Sequence, residues 1–295
     1  MTGIIPLNKG DNMTSFLAVK RVRGIVGEKK CGHTGTLDPM ATGVLPVALG
    51  GATRFIELLP THKKAYKASF KLGLKTDTLD IWGEITEENG KTASEEQVLE
   101  LLPQFLGKIK QLPPMYSALK KDGVRLYELA RQGIEVEREY RECEIFSLEI
   151  SRISEDEFSL FTECSAGTYI RSLISDIGES LNTGAVMTSL NRTFACGISE
   201  RECVTLEQLE QYRDENLLEK IIIPVDKMLE VYPAVTVTKA QSIRFKNGGE
   251  LLKSRVKGEF SDGLVRVYSD NEFLGLGESF ENNENLMVKR VYVHR

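Results

Sequence analysis

The chain of 295 residues lacks any apolar run of about 18 residues, the length a helix needs to cross a bilayer, so no membrane association is expected. Its five cysteines, at 31, 143, 164, 196 and 203, are odd in number and form no Cys-x-x-Cys pair. Neither a disulfide framework nor a zinc site is suggested, and a reducing, cytoplasmic setting fits that usage. Histidine is scarce: residues 33, 62 and 294 have no metal-ligand spacing. The opening, Met1-Thr2-Gly3-Ile4-Ile5-Pro6, has neither the basic start nor the apolar stretch of a secretory signal. Internal repeats and low-complexity tracts are missing as well. What is left is an ordinary globular composition, 41% hydrophobic, with enough chain for one large domain and a smaller one.

Charge is more informative in its distribution than in its total. The net charge of −5 argues against a nucleic-acid binder, yet residues 1–80 carry 12 Lys+Arg against 6 Asp+Glu, leaving the remainder strongly acidic. A basic N-terminal part on an acidic body can draw a polyanion to one face. A solvated surface with chance clustering is the plainer reading of the same numbers.

Patterning separates the chain into helical and extended stretches. Thr14 to Ile25 reads as an amphipathic helix that Gly24 or Gly27 ends. Residues 66–72 alternate as a half-buried strand. Ser94-Glu95-Glu96-Gln97 is a capping box for a helix through Leu102, stopped by Pro103. A short helix runs from Leu126 to near Gly133, and 143–150 and 158–164 are strand-like. Ile170, Leu173, Ile174 and Ile177 then fall at helical spacing, and Thr205 caps another helix. Without a regular βαβ rhythm, this argues for an α+β fold. Residues 224–233 look like a boundary. Beyond it short β segments at 234–237, 264–268, 273–276 and 286–293 suggest a small β-barrel or sandwich.

The chemistry-bearing segment is Gly32-His33-Thr34-Gly35-Thr36-Leu37-Asp38-Pro39. Pro39 fixes its own φ and keeps Asp38 out of the helical region, while the two glycines allow close approaches, so the carboxylate is aimed by backbone. The plain alternative is a helix start, with Asp38 as N-cap and Pro39 at the first helical position. Three further segments weigh against it. Tyr66 opens a strand among Lys63, Lys64 and Lys67, either as a strand aromatic or as a ring that stacks on a base. Thr76-Asp77-Thr78-Leu79-Asp80 forms a polar loop. Gly167-Thr168-Tyr169-Ile170-Arg171 leads into a helix whose first turn carries an arginine, disfavoured there by the helix dipole unless a carboxylate offsets it. Asp38 is the candidate for that carboxylate; a solvent-facing Arg171 is the default.

In this order, the segments resemble those of the TruB-type tRNA pseudouridine synthases, from about residue 3 to the C-terminus. The first motif, continuing Ala41-Thr42-Gly43-Val44-Leu45-Pro46, is similar to the family's catalytic motif, and residues 111–133 are similar to its RNA-gripping insertion. The resemblance implies a mixed, largely antiparallel sheet flanked by helices over 1–228, an insertion at about 108–140, and a PUA-like RNA-binding β-barrel over 229–295. It implies isomerisation of the uridine at position 55 in the TΨC loop of tRNA, with no metal or organic cofactor and no obligate protein partner, by a monomer. Asp38 would be nucleophile or base. Tyr66 would stack on the uracil, and Arg171 would keep Asp38 ionised and oriented. Tyr169 and Leu190 would wall the pocket, and Asp80 would orient Arg171 or meet a base edge. His33 would touch flipped-out loop RNA or be merely structural. Lys9, Lys20, Arg21 and Lys64 would hold phosphates.

Two departures from the family pattern stand out: Asn8-Lys9-Gly10 in place of Asp-Lys-Pro, and Asn191-Arg192 in place of Arg-Arg. A guide-RNA-dependent synthase of the dyskerin type and a non-catalytic tRNA-binding or tRNA-folding protein are the rival readings.

Overall fold

Apolar runs without alternation become strands buried on both faces. Such runs are β1 (Gly3–Lys9) and β3 (Thr42–Leu49). Between them lie helix α1 (Ser15–Val26) and strand β2 (Cys31–His33). A 3₁₀ helix over Gly50–Leu58 follows, then β4 (Lys63–Leu72), β5 (Leu74–Thr76), β6 (Ile85–Glu88), α2 (Glu95–Leu101) and β7 (Gly107–Gln111). The chain continues through β8 (Lys120–Lys121), β9 (Val124–Arg125), α3 (Leu126–Ala130), β10 (Arg141–Arg152), β11 (Glu157–Ser165), α4 (Ile170–Ser180) and β12 (Ala185–Ala195). It ends with β13 (Ile198–Ser199), α5 (Leu206–Asp214), α6 (Val225–Met228), β14 (Ala234–Thr236), α7 (Lys239–Lys246), β15 (Leu251–Leu252), β16 (Gly263–Ser269), β17 (Glu272–Ser279) and β18 (Asn285–Val291). The computed structural model describes residues 1–60 and 62–293. His294 therefore lies outside the described residues.

Two compact units divide the chain. The first comprises Met1–Pro39, Gly43–Thr61 and Cys196–Arg295. In it β1 runs antiparallel to β3, from Gly3 opposite Leu49 to Lys9 opposite Gly43, and β2 pairs with β3 through His33 opposite Val47. Helix α1 is capped by Thr14, whose side chain accepts the Leu17 N–H, and ends at Gly27, whose φ of 69° suits a residue without Cβ. Of the two glycines expected to end this helix, Gly27 does so. Toward the C-terminus, β14, β16, β17, β18 and β15 form a sheet curled into a half-barrel over Val235, Phe245, Val265, Val267, Leu274 and Leu286. Phe55 of the 3₁₀ helix meets Phe273 of β17 and Tyr292, with ring centroids 6.0 and 5.9 Å apart, which ties that sheet to residues of the N-terminal part.

The second unit comprises Met40–Thr42 and His62–Ala195. Its strands lie in the order β12-β4-β11-β10-β7, all antiparallel neighbours. Phe70 and Phe158 are direct cross-strand partners with stacked rings 5.5 Å apart. Helix α4 buries Ile170, Leu173, Ile174 and Ile177, the positions its spacing singles out. Gly178 lets the helix approach β12, because a Cβ there would run into the backbone of Ala185. The fold is thus α+β, with a large mixed sheet in which the pairs described above are antiparallel, and with β14 parallel to β16 in the C-terminal sheet.

Two expectations need correction. No helix begins at Pro39: Pro39 and Met40 form a turn and β3 starts at Thr42, so Asp38 is not an N-cap. Helix α2 ends at Leu101, and Pro103 sits inside a 3₁₀ turn over Leu102–Phe105, where a missing N–H is harmless. The C-terminal β segment also carries helix α7, opened by a full capping box between Thr238 and Gln241.

Candidate active site

In the first unit, the loop bearing Asp38 is fastened on both sides of the carboxylate. The Ser15 hydroxyl accepts the Leu37 N–H at 2.8 Å and donates to the Leu37 carbonyl at 3.0 Å. Lys9 Nζ donates to the carbonyls of Gly10 at 2.8 Å, Met13 at 2.7 Å and Pro39 at 3.1 Å. The Met13 N–H donates to the same Pro39 oxygen at 3.2 Å. Residues 37 and 39 are therefore immobilised by the end of β1 and the start of α1. Asp38 between them is half-buried. A carboxylate so mounted meets the geometric demand of nucleophilic or general-base chemistry: a fixed origin and access from outside.

Lys9 requires a correction. It is fully buried, and its ammonium serves three carbonyls of the loop, so it organises backbone and is not a phosphate ligand. Gly32 lies in β2 without a positive φ and serves the close approach expected of it, because a Cβ there would stand 3.0 Å from Ile56 Cδ1. The aim of the loop comes from Ser15 and Lys9. His33 is half-buried in β2, Lys20 is exposed on α1, and Arg21 is ion-paired with Glu210 of α5 at 3.3 Å.

In the second unit Arg171 is 5% exposed, which rules out the solvent-facing reading. Its Nη1 donates to the Thr78 carbonyl at 2.8 Å and its Nη2 to the Tyr116 carbonyl at 2.9 Å. Asp80 Oδ2 lies 3.6 Å from Nη1 and gives the buried cation a carboxylate. Asp80 is itself held through Oδ1, which accepts from Thr78 Oγ1 at 2.7 Å and from the Trp82 N–H at 3.2 Å. The 76–80 loop contains Leu79 at φ 63°, a left-handed conformation that costs about 1 kcal/mol or more for a branched side chain. Two backbone hydrogen bonds to Met187 of β12 hold it there.

Helix α4 has no side-chain N-cap of its own. Gln111 substitutes: its Oε1 accepts the Tyr169 N–H at 3.0 Å and its Nε2 donates to the Tyr169 carbonyl at 3.3 Å. Ser172 Oγ adds a bond to the Leu112 carbonyl at 3.0 Å. Tyr169 is half-buried at this junction. The Tyr116 hydroxyl donates to Asp77 Oδ2 at 3.1 Å; burial, and then that carboxylate, push its pKa up.

Tyr66 and Leu190 belong to one face of the sheet. Tyr66 on β4 lies opposite Arg192 on β12 and opposite Thr162 on β11, and Leu190 lies opposite Ala68. Tyr66 is 6% exposed and Arg192 1%. Lys64 shares this face by strand alternation. Lys63 and Lys67 point the other way, and Lys63 is ion-paired with Glu163 at 2.6 Å. On that opposite face a concavity of about 570 Å³ lies among Ser69, Ser151, Ser159, Phe161 and Ser189, and none of the candidate residues lines it.

The structure thus brings Arg171 and Asp80 together, places Tyr66 and Leu190 on one sheet face, and holds Asp38 in a rigid loop. Ser15, Gln111 and Arg192 are parts that sequence reasoning missed as contributors. Ser15 reads as an ordinary first residue of a helix and Gln111 as the first residue of the insertion-like segment. Arg192 is a charge inside an apolar strand pattern, a signal that could have been used. Among the described residues no cluster of His, Cys, Asp or Glu is placed to hold a metal ion, and no helix is long and apolar enough to cross a membrane.

Three family models match the chain in succession. They are TruB family pseudouridylate synthase (N terminal domain) over 23–170, tRNA pseudouridylate synthase B C-terminal domain over 171–230, and pseudouridine synthase II TruB, C-terminal, over 233–291. The chain is 46% identical to a tRNA pseudouridine synthase B of Clostridium perfringens, covering 98% of this chain and 100% of that one. It is 42% identical to the protein of that name from Azoarcus sp., over 94% of this chain and 90% of the other. Among solved structures it resembles a chain of a Cbf5-Nop10-Gar1 complex, with a TM-score of 0.76, 26% identity and coverage of 99% and 85%. A chain of an H/ACA RNP bound to a substrate RNA containing 2'-deoxyuridine gives 0.75, 25%, 99% and 86%.

Proposed function

The chain belongs to the TruB family of pseudouridylate synthases, and on that premise we propose that it converts uridine to pseudouridine at position 55 in the TΨC loop of tRNA. The reaction exchanges the N1–C1′ bond for a C5–C1′ bond. N1 gains a proton and the C5 proton leaves, so no outside atom and no redox partner are required. The observation that carries this reading is the single carboxylate of Asp38, mounted on a loop whose flanking residues are immobilised by Ser15 and Lys9. A glycoside hydrolase would ordinarily set two carboxylates across the bond and admit water.

The roles follow from side-chain chemistry. Asp38 opens the reaction as nucleophile or base. Arg171, with its guanidinium set by Thr78, Tyr116 and Asp80, is assigned the role of orienting the reacting carboxylate by forked hydrogen bonding. Tyr66 offers a ring for the uracil and a hydroxyl for proton movement, and Tyr169 and Leu190 shape the pocket for a base turned out of its stack. His33 contacts loop RNA, and Lys20, Arg21 and Lys64 neutralise phosphates. Residues 1–228 form the catalytic part, with the RNA-gripping insertion at about 108–140, and 229–295 a PUA-like RNA-binding part. The protein works in the cytoplasm as a monomer without cofactor, guide RNA or protein partner. The relatives named for tRNA are 46% and 42% identical, whereas the Cbf5 chain is 26% identical, which favours the stand-alone reading.

The test is direct. Purified protein is incubated with an unmodified tRNA transcript and pseudouridine is mapped by position. Product at position 55 without guide RNA is expected. Product only when guide RNA is added, or at another position alone, overturns the proposal.

A further inference from the structure

We propose that Phe16, on the outer face of α1, is a contact for an unpaired base of the RNA substrate, with Lys20 and Arg23 holding the adjoining phosphates. This rests on the functional reading above and specifies which part of the substrate the surface takes.

Phe16 is 77% exposed, more than any other large hydrophobic side chain among the described residues, and Leu17 beside it is 43% exposed. Helix α1 buries Ser15, Ala18, Val22, Ile25 and Val26, so Phe16 contributes nothing to that core. Residues 16, 20 and 23 stand at i, i+4 and i+7 and therefore share a face. Lys20 and Arg23 on it are exposed, as is Arg21 on the adjacent row, and α1 contains no acidic residue. On α5, Glu210 is ion-paired with Arg21, and Glu207 also feels the charge of Arg21. Lys29 and Lys30, just past the helix, extend the exposed positive charge.

An aromatic ring followed along one face by cations suits an unpaired nucleotide, whose base presents a π-face and whose phosphate presents charge. A protein partner's apolar core would favour an interface centre depleted of charge. Position adds a second argument. Phe16 directly follows Ser15, the residue that clamps Leu37 beside Asp38. A base resting on Phe16 is therefore registered, through one rigid connection, to the loop that carries the reacting carboxylate. The ring discriminates a substrate with a splayed loop from a continuous duplex.

The experiment compares the full-length protein with Phe16→Ala for binding of a fluorescent TΨC stem-loop transcript and of a blunt RNA duplex of the same stem sequence. Stacking of one base on an aromatic ring predicts about 5- to 150-fold weaker stem-loop binding for the alanine variant. Duplex binding and Tm should stay unchanged, and Phe16→Trp should bind the stem-loop at least as tightly as the parent. The salt dependence of Phe16→Ala should match the parent, while Lys20→Gln and Arg23→Gln should each flatten it. Equal stem-loop affinity in parent and Phe16→Ala overturns the inference. So does an equal loss on duplex, a fall in Tm that reveals a packing role, or self-association of the parent that the substitution abolishes. Failure of the parent itself to bind the stem-loop would instead count against the functional reading.

Discussion

Arg171 and Asp80 stand 3.6 Å apart, Nη1 to Oδ2, with side chains 6% and 2% exposed. Charges so deeply buried are tolerated because each is also hydrogen-bonded: the guanidinium to Thr78 and Tyr116, the carboxylate to Thr78 and Trp82. Removing one partner is costly for that reason. Asp80→Ala should destabilise the fold by about 3 kcal/mol, the usual consequence of stranding a buried charge, as read by denaturant titration. Arg171→Lys keeps the charge but cannot span both carbonyls. It should retain the far-UV circular dichroism of the parent while pseudouridine formation falls by about two orders of magnitude, the scale of a lost orienting contact.

Ser15→Ala removes both hydrogen bonds that fix Leu37. The loss should be about 1–3 kcal/mol of stability, the cost of leaving buried backbone groups unsatisfied. Because the clamp sets the loop carrying Asp38, kcat should fall more than KM rises in a tRNA assay. Ser15→Thr, which keeps the hydroxyl, should recover part of both.

The buried Lys9 makes a contrasting prediction. If its role is to organise the loop, Lys9→Met should lower Tm while leaving the slope of log Kd against log salt as in the parent. Loss of a phosphate contact would reduce that slope by about one.

Asp38→Asn should bind tRNA with near-parental affinity and form no pseudouridine, since the amide is neither base nor nucleophile. Gel-shift and nucleotide mapping on the same preparation check both halves. Appreciable product would remove Asp38 from its assigned role.

Asp176 on α4 carries a pH signature. Burial, and then the neighbouring Glu179, raise its pKa from the ordinary carboxylate value of 3.8 to about 6. The folded protein then binds more protons than the unfolded chain between those values, so stability falls as pH rises through that interval and the penalty is complete above about pH 6. Asp176→Asn should therefore raise Tm at pH 7.5 and leave it unchanged near pH 4. The gain should be about 1 kcal/mol, discounted for the partial exposure of the carboxylate.

Much of this was legible in the residues. Thr14, Ser94 and Thr205 announce their helices through capping chemistry, and the spacing of Ile170, Leu173, Ile174 and Ile177 marks the buried side of α4. Local rules fail where the information is non-local. β1 and β3 escape notice because strands covered on both faces lose the alternation that identifies a half-buried strand. The neighbours of Arg171 are contributed by residues 78, 80 and 116, and no periodicity connects them. Lys9 is the instructive error: a lysine in a basic segment reads as a phosphate ligand, and only its burial against three carbonyls reveals a different task.

The chain leaves the sheet of the second unit at Gln111 and rejoins it at Arg141, and those two residues are direct cross-strand neighbours. Everything between them is a detour that departs and returns at the same doorway, so its far reaches can be lengthened, shortened or exchanged without re-threading the strands. One stretch is not negotiable: Tyr116, five residues out, lends its carbonyl to Arg171. A graft that begins beyond it should exchange the segment proposed to grip RNA while the arginine keeps its setting.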